Sequence, residues 1–155
     1  MSDAKSIDEA AEDTEENIRK PQILAVDDTA VMLRTISSAL SGDYDVFTLT
    51  DPMMVEKYLR QMKPDLILLD YKMPELNGFE LVPIIRKIEG HKDTPIIFLT
   101  SMGTNDHILT AASLGASDFI VKPFKAEVLR EKIAKLIPPK NSPQGNEDTE
   151  NAKAE

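Results

Sequence analysis

The chain contains no cysteine. That absence excludes a disulfide framework, a thiolate nucleophile and any cysteine-held metal. No apolar stretch approaches the length of a bilayer span. Residues 1–20 are acidic and lack an apolar core, so they do not read as a secretory signal. Long basic runs are missing as well. The 155 residues carry 18 Lys and Arg against 27 Asp and Glu, for a net charge of −9. Direct nucleic-acid binding and membrane insertion are therefore not expected. Histidine is nearly absent: His91 and His107 fall in predicted loop and helix-start positions, and neither reads as a ligand or catalytic group. Together these absences predict a soluble, cytoplasmic protein.

What is present is concentrated in the middle. Hydrophobic residues make up 41% of the chain, and most lie between positions 22 and 137. A segment of that size forms one domain and buries roughly two-thirds of its unfolded surface. Residues 1–20 carry three bases and seven acids, a balance of −4, and residues 141–155 carry one base and four acids, a balance of −3. Both tails are too polar to form a core. The expected organisation is an acidic disordered tail over 1–20, a folded domain over 21–138, and a second acidic tail or linker over 139–155. A weak helix is possible between positions 8 and 17.

Within the folded part, strand and helix patterns alternate. Short apolar runs predict strands at 22–26, 46–49, 65–69, 95–99 and 119–121. Helical spacing begins near Ala30, Met53, Gly78, Asn105 and Lys125. Gly42, Gly90 and Gly115 sit where left-handed helix caps are expected. Pro83 lies past the first turn of the third helix and predicts a bend or a late start there. Five such βα units imply an α/β fold with a parallel sheet covered on both faces. Met32, Met53, Met54 and Met62 read as packing or surface-filling residues.

The strand ends carry the chemistry. The first strand runs into Asp27-Asp28, the third into Asp70, the fourth into Thr100-Ser101 and the fifth into Lys122-Pro123. Ligands of open α/β sheets bind at the carboxyl ends of the strands. Taken singly, each acid reads as a turn-former, Thr100 as a helix cap and Lys122 as a solvated cation. Three converging carboxylates repel one another, and a hard divalent cation removes that cost. Magnesium suits such a site, since it takes oxygen ligands and phosphate oxygens while keeping several waters. Lys122 could pair with Asp70 or hold a phosphoryl oxygen. Thr100 could donate its hydroxyl to an anion at Asp70.

The set Asp27-Asp28, Asp70, Thr100 and Lys122-Pro123 resembles the receiver domain of two-component response regulators. Asp70-Tyr71-Lys72-Met73-Pro74, Asn77-Gly78-Phe79-Glu80, Gly115-Ala116-Ser117-Asp118-Phe119 and Lys122-Pro123-Phe124 add to the likeness, which covers residues 22–137. The resemblance implies a doubly wound, flavodoxin-like sheet of five parallel strands in the order 2-1-3-4-5. It implies that Asp70 is the phosphoacceptor and that the donor is a sensor histidine kinase or phosphotransfer protein. Magnesium would be held by Asp27, Asp28, Asp70 and the backbone carbonyl of Lys72. Lys122 would neutralise phosphoryl charge, and Thr100 and Phe119 would form the switch. The protein would not be an enzyme in the ordinary sense, but a phosphoacceptor that assists its own phosphorylation and dephosphorylation. Output would be altered binding to a downstream protein target.

Some positions depart from the family pattern. Ser101 stands where Ala is more frequent, and Phe119 lacks the hydroxyl of the Tyr often found there. Lys72 and Met102 offer no carboxamide or acid to orient an attacking water. Two other readings compete: a receiver excised from a larger regulator or hybrid kinase, and a magnesium-dependent aspartyl phosphohydrolase. The second needs an acid two residues after its nucleophile, where this chain has Lys72.

Overall fold

The structure, a computed structural model, describes residues 19–101 and 103–139. The tail expectations for positions 1–18 and 140–155 lie outside the described residues. Strands and helices alternate from one end to the other. They run β1 (Gln22–Val26), α1 (Ala30–Leu40), β2 (Asp45–Leu49), a short 3-10 turn (Pro52–Met54), α2 (Val55–Gln61) and β3 (Leu66–Asp70). Then follow α3 (Gly78–Lys87), β4 (Ile96–Thr100), α4 (Asn105–Ser113), β5 (Asp118–Val121) and α5 (Ala126–Leu136).

All strand pairs are parallel and the sheet order is β2-β1-β3-β4-β5. β3 and β4 are buried at every residue, which is why their sequences read as continuous apolar runs. The edge strands β2 and β5 are only partly buried and correspondingly more polar. Alternate residues feed two apolar layers. Leu24, Val26, Ile67, Leu69, Ile96 and Phe98 pack with α2, α3 and Ala111 of α4. Ile23, Ala25, Leu66, Leu68, Ile97 and Leu99 pack with α1 and α5. Strand order reverses between β1 and β3, and this reversal opens a crevice at their carboxyl ends.

Local sequence sets most boundaries. Asn77 and Glu80 close a reciprocal capping box, each side chain accepting the other's backbone N–H at 2.9 Å. That cap starts α3 at Gly78, so the late start expected from Pro83 does not occur and the proline sits inside the helix. A strong cap outweighs the loss of one hydrogen bond further along. Gly90 and Gly115 have φ of 91° and 90°, as expected of left-handed caps. Gly42 does not: α1 ends through bonds from Asp43 and Tyr44 N–H to the Leu40 carbonyl, at 3.1 and 2.9 Å, which need no left-handed residue.

The loop after β3 folds back tightly. Glu75 takes a left-handed φ of 70°, and Leu76 N–H donates to Pro74 O at 2.7 Å across it. Gly78 N–H donates to Tyr71 O at 2.8 Å. A Cβ on Gly78 would lie 2.6 Å from the Asp70 backbone oxygen, so no side chain fits there.

Candidate functional site

Because every strand runs the same way, their carboxyl ends share one edge of the sheet. Asp27 and Asp28 follow β1, Asp70 closes β3, Thr100 closes β4 and Lys122 follows β5. The five predicted side-chain positions therefore come together. One carboxylate oxygen from each of Asp27, Asp28 and Asp70 lies within 4.8 Å of the others.

The three acids differ in environment. Asp27 has no exposed surface. Its Oδ1 accepts from Thr29 N–H at 2.9 Å and Thr29 Oγ1 at 2.8 Å, a local turn that launches α1. Its Oδ2 accepts from Lys122 Nζ at 2.8 Å. Asp28 is exposed. Asp70 is 5% exposed and accepts from Lys122 Nζ at 3.1 Å. The sequence left Lys122 between Asp70 and a phosphoryl oxygen; the structure gives it both Asp27 and Asp70. Lys122 joins Pro123 through a cis peptide bond.

The charge balance explains how these groups titrate. Burial raises the Asp70 pKa most, and the Asp27 carboxylate raises it further. The charge and hydrogen bond of Lys122 offset part of this, Asp28 adds a little, and the result is about 6. Burial works against the Lys122 ammonium. Its hydrogen bonds and charge contacts with Asp27 and Asp70 outweigh that cost and hold its pKa above the ordinary lysine value. Lys122 thus pairs with Asp27 and Asp70 while Asp28 adds a third carboxylate, giving a crevice rich in negative charge with an oxygen donor set. Those features fit a hard divalent cation such as magnesium.

Beside the acids lies a cavity of about 10 Å³, lined by aromatic residues together with Thr100, Ile108 and Ala111. The Tyr71 and Phe79 rings meet at a tilt with their centres 4.5 Å apart, and His107 meets Tyr71 edge-on at 5.1 Å. Phe119 lines the same cavity. Sequence reading missed Tyr71 and His107 here, because a residue beside a turn and one in a helix's first turn carry no shared periodicity. The other histidine is structural: His91 is buried, with Nδ1 2.9 Å from Thr94 Oγ1 and Nε2 3.3 Å from Met62 O.

The response regulator receiver domain family matches residues 23–134. This chain belongs to that family. It is 36% identical over 119 residues to the chemotaxis protein CheY1 of Helicobacter pylori, covering 75% of this chain and 96% of that one. It is 34% identical to a chemotaxis protein CheY homolog of Campylobacter jejuni, covering 75% of this chain and 92% of that one. Among solved structures, chemotaxis protein CheY4 of Vibrio cholerae superimposes with a TM-score of 0.73 at 29% identity, covering 76% of this chain and 99% of that one. The receiver domain of a Pseudomonas aeruginosa sensor histidine kinase, solved with magnesium coordinated in its active-site cleft, gives 0.70 at 28% identity, covering 76% and 98%. The receiver fold is thus a phosphorylation-activated signalling switch of the two-component type, interacting with histidine kinases or phosphotransfer proteins. Among the described residues, no helix is long and apolar enough to cross a membrane.

Proposed function

We propose that this receiver, spanning residues 21–138, takes a phosphoryl group from a kinase or phosphotransfer phosphohistidine onto Asp70 and signals by altered protein binding in the cytoplasm. The observation that carries this reading is the meeting of Asp27, Asp28 and Asp70 oxygens within 4.8 Å, with Lys122 Nζ 3.1 Å from Asp70. An Asp70 carboxylate oxygen attacks phosphorus, the phosphorus–nitrogen bond breaks, and the imidazole leaves. Lys122 stabilises the negative charge that gathers on the phosphoryl oxygens. Thr100, 7% exposed at the end of β4, donates its hydroxyl to the phosphoryl group once it forms. Phe119 then turns into the space Thr100 leaves. Asp27, Asp28, Asp70 and the Lys72 carbonyl would hold magnesium, which would supply positive charge to neutralise the phosphoryl oxygens. The output face is that of α4, β5 and α5, where Leu109, Val121 and Val128 are 66, 41 and 39% exposed.

Acetyl phosphate with magnesium is expected to add one acid-stable, base-labile phosphoryl group, and Asp70→Asn to abolish it. Intact-mass measurement reads the result, and undiminished labelling of the variant refutes the assignment. Titration of the unphosphorylated protein is expected to give weak magnesium binding. Among the described residues, none ties down exposed Asp28, whereas Asp27 is held by Thr29 and Lys122. Asp28→Ala therefore weakens that binding more than Asp27→Ala does. The reverse ranking contradicts the proposed division of labour.

The phosphoryl group is expected to be long-lived. Hydrolysis needs a water held in line behind phosphorus. Lys72, exposed next to the site, has no acceptor for that water's proton, and the Met102 side chain is only a weak one. The double substitution Lys72→Asn and Met102→Glu should speed loss of label about tenfold, below the range of a fully engaged general base. Equal or slower decay after donor removal shows that these side chains do not set the lifetime.

A further inference from the structure

Phe119 lies on β5, at the edge of the sheet, and its ring packs in the layer of α2, α3 and α4. Lys132 belongs to α5, on the opposite layer. Its side chain nevertheless reaches round the sheet edge. Lys132 Nζ sits 5.6 Å from the centre of the Phe119 ring. It is fixed there by both carboxylate oxygens of Asp118, the residue before Phe119, at 3.1 and 3.2 Å. The two charged side chains are 32% and 30% exposed, so the cation is partly desolvated. A surface ion pair alone contributes little. This one holds an ammonium at a position where the quadrupole of an aromatic ring attracts it.

The ring also borders the cavity shared with Thr100, His107, Ile108 and Ala111. That cavity, at about 10 Å³, has room for about one water and not for a phenyl group. Phe119 already lines this cavity, and on the switch reading it turns further in once Thr100 has moved towards Asp70. A phenylalanine has no hydroxyl to hold it in one rotamer, so a rotamer preference must come from its packing and from the cation beside it.

We propose that Lys132, anchored by Asp118, is a positioning residue that holds the Phe119 ring in the rotamer seen here until Asp70 is phosphorylated. This rests on the switch reading of Thr100 and Phe119 given above. The ammonium takes over the part that a hydrogen-bonding hydroxyl plays on a tyrosine. Its loss frees the ring and moves the resting protein towards the phosphorylated conformation. A cation–π contact at a partly exposed site shifts a two-state population about two- to fivefold.

The test uses the full chain with 4-fluorophenylalanine at its five phenylalanines and fluorine NMR, Phe119→Leu assigning the signal. The probe is magnesium with beryllofluoride, a tetrahedral mimic of the acyl phosphate. In the parent, the probe is expected to move the Phe119 resonance. Lys132→Met should move the probe-free resonance part-way towards the probe-bound position and tighten beryllofluoride binding about two- to fivefold. Lys132→Arg, which keeps a cation at the ring, should restore both. A parent whose Phe119 resonance ignores bound probe refutes the switch reading itself, and the latch with it. A responsive parent with an unchanged Lys132→Met overturns the latch alone. So does a Lys132→Arg protein that behaves like Lys132→Met, since the cation is then not the operative feature.

Discussion

Lys122→Met should lower the stability of the metal-free protein by about 2–4 kcal/mol at pH 7–8. Lys122 is the cation that pairs with both Asp27 and Asp70, at 2.8 and 3.1 Å. Asp27 has no exposed surface and Asp70 is 5% exposed, so neither can turn to water when the ammonium goes. Removing one partner of a buried pair strands the other charge, at a cost nearer 3–5 kcal/mol when burial is complete. Lys122 is itself 17% exposed, which places the expectation somewhat lower. Two accompanying effects identify the cause. The loss should shrink as pH falls, because Asp70, its pKa already raised, takes up a proton more readily without Lys122. Magnesium should restore part of the loss by supplying another positive charge. Denaturant unfolding with and without magnesium, at pH 5 and pH 8, measures both. A loss under about 0.5 kcal/mol at pH 8 would show that Thr29 and solvent alone satisfy the acids.

The opposite sign is expected at the phosphoacceptor. Asp70→Asn should stabilise the metal-free protein by ~1–3 kcal/mol at pH 7–8. Burial first, then Asp27, raises the Asp70 pKa from 3.8 to about 6 in the folded state. A carboxyl whose folded pKa is raised binds more protons folded than unfolded. Its favourable contribution is complete below the unfolded pKa and is lost as pH rises through the folded one. The ionised group at neutral pH therefore opposes folding by ~3 kcal/mol for a shift of about two units. An asparagine removes that opposition, but accepts more weakly from Lys122, which lowers the net gain. The stability difference between variant and parent should be small below about pH 4, grow between pH 4 and 6, and level off above pH 7. Saturating magnesium should narrow it. A variant less stable than the parent at pH 8 without metal would mean that the Lys122–Asp70 pair outweighs the repulsion among the acids. In the double variant the two changes should not add, because they share one contact.

Most of the fold was legible because its signals are local and periodic. β3 reads as a strand from Leu66 to Leu69 alone, since a strand covered on both faces has no polar face to alternate with. The α3 start is written in Asn77 and Glu80, which meet three residues apart. Each strand boundary was placed within a residue, the third and fourth strands ending on Asp70 and Thr100 rather than just before them. The left-handed cap expected at Gly42 and the late helix start expected from Pro83 failed where a neighbouring hydrogen bond outweighed a residue's own preference.

The sequence by itself determined which residue types stand at the strand ends, and so the chemistry available: three carboxylates, a hydroxyl and an ammonium. Parallel strands carry their last residues to one edge, and nothing beyond strand direction is needed for that convergence. Which charge meets which was decided only by the tertiary structure. Asp27 and Lys122 are 95 residues apart and Asp70 and Lys122 are 52 apart, and no pattern along the chain ranks those partners. The sheet order decides it, by setting Asp70 beside Asp27 and burying Asp27 while leaving Asp28 exposed. The same holds for His107 against Tyr71 and for Lys132 over Phe119. These contacts join elements from different layers or loops, and packing energy, which depends on three-dimensional neighbours rather than sequence neighbours, brings them together.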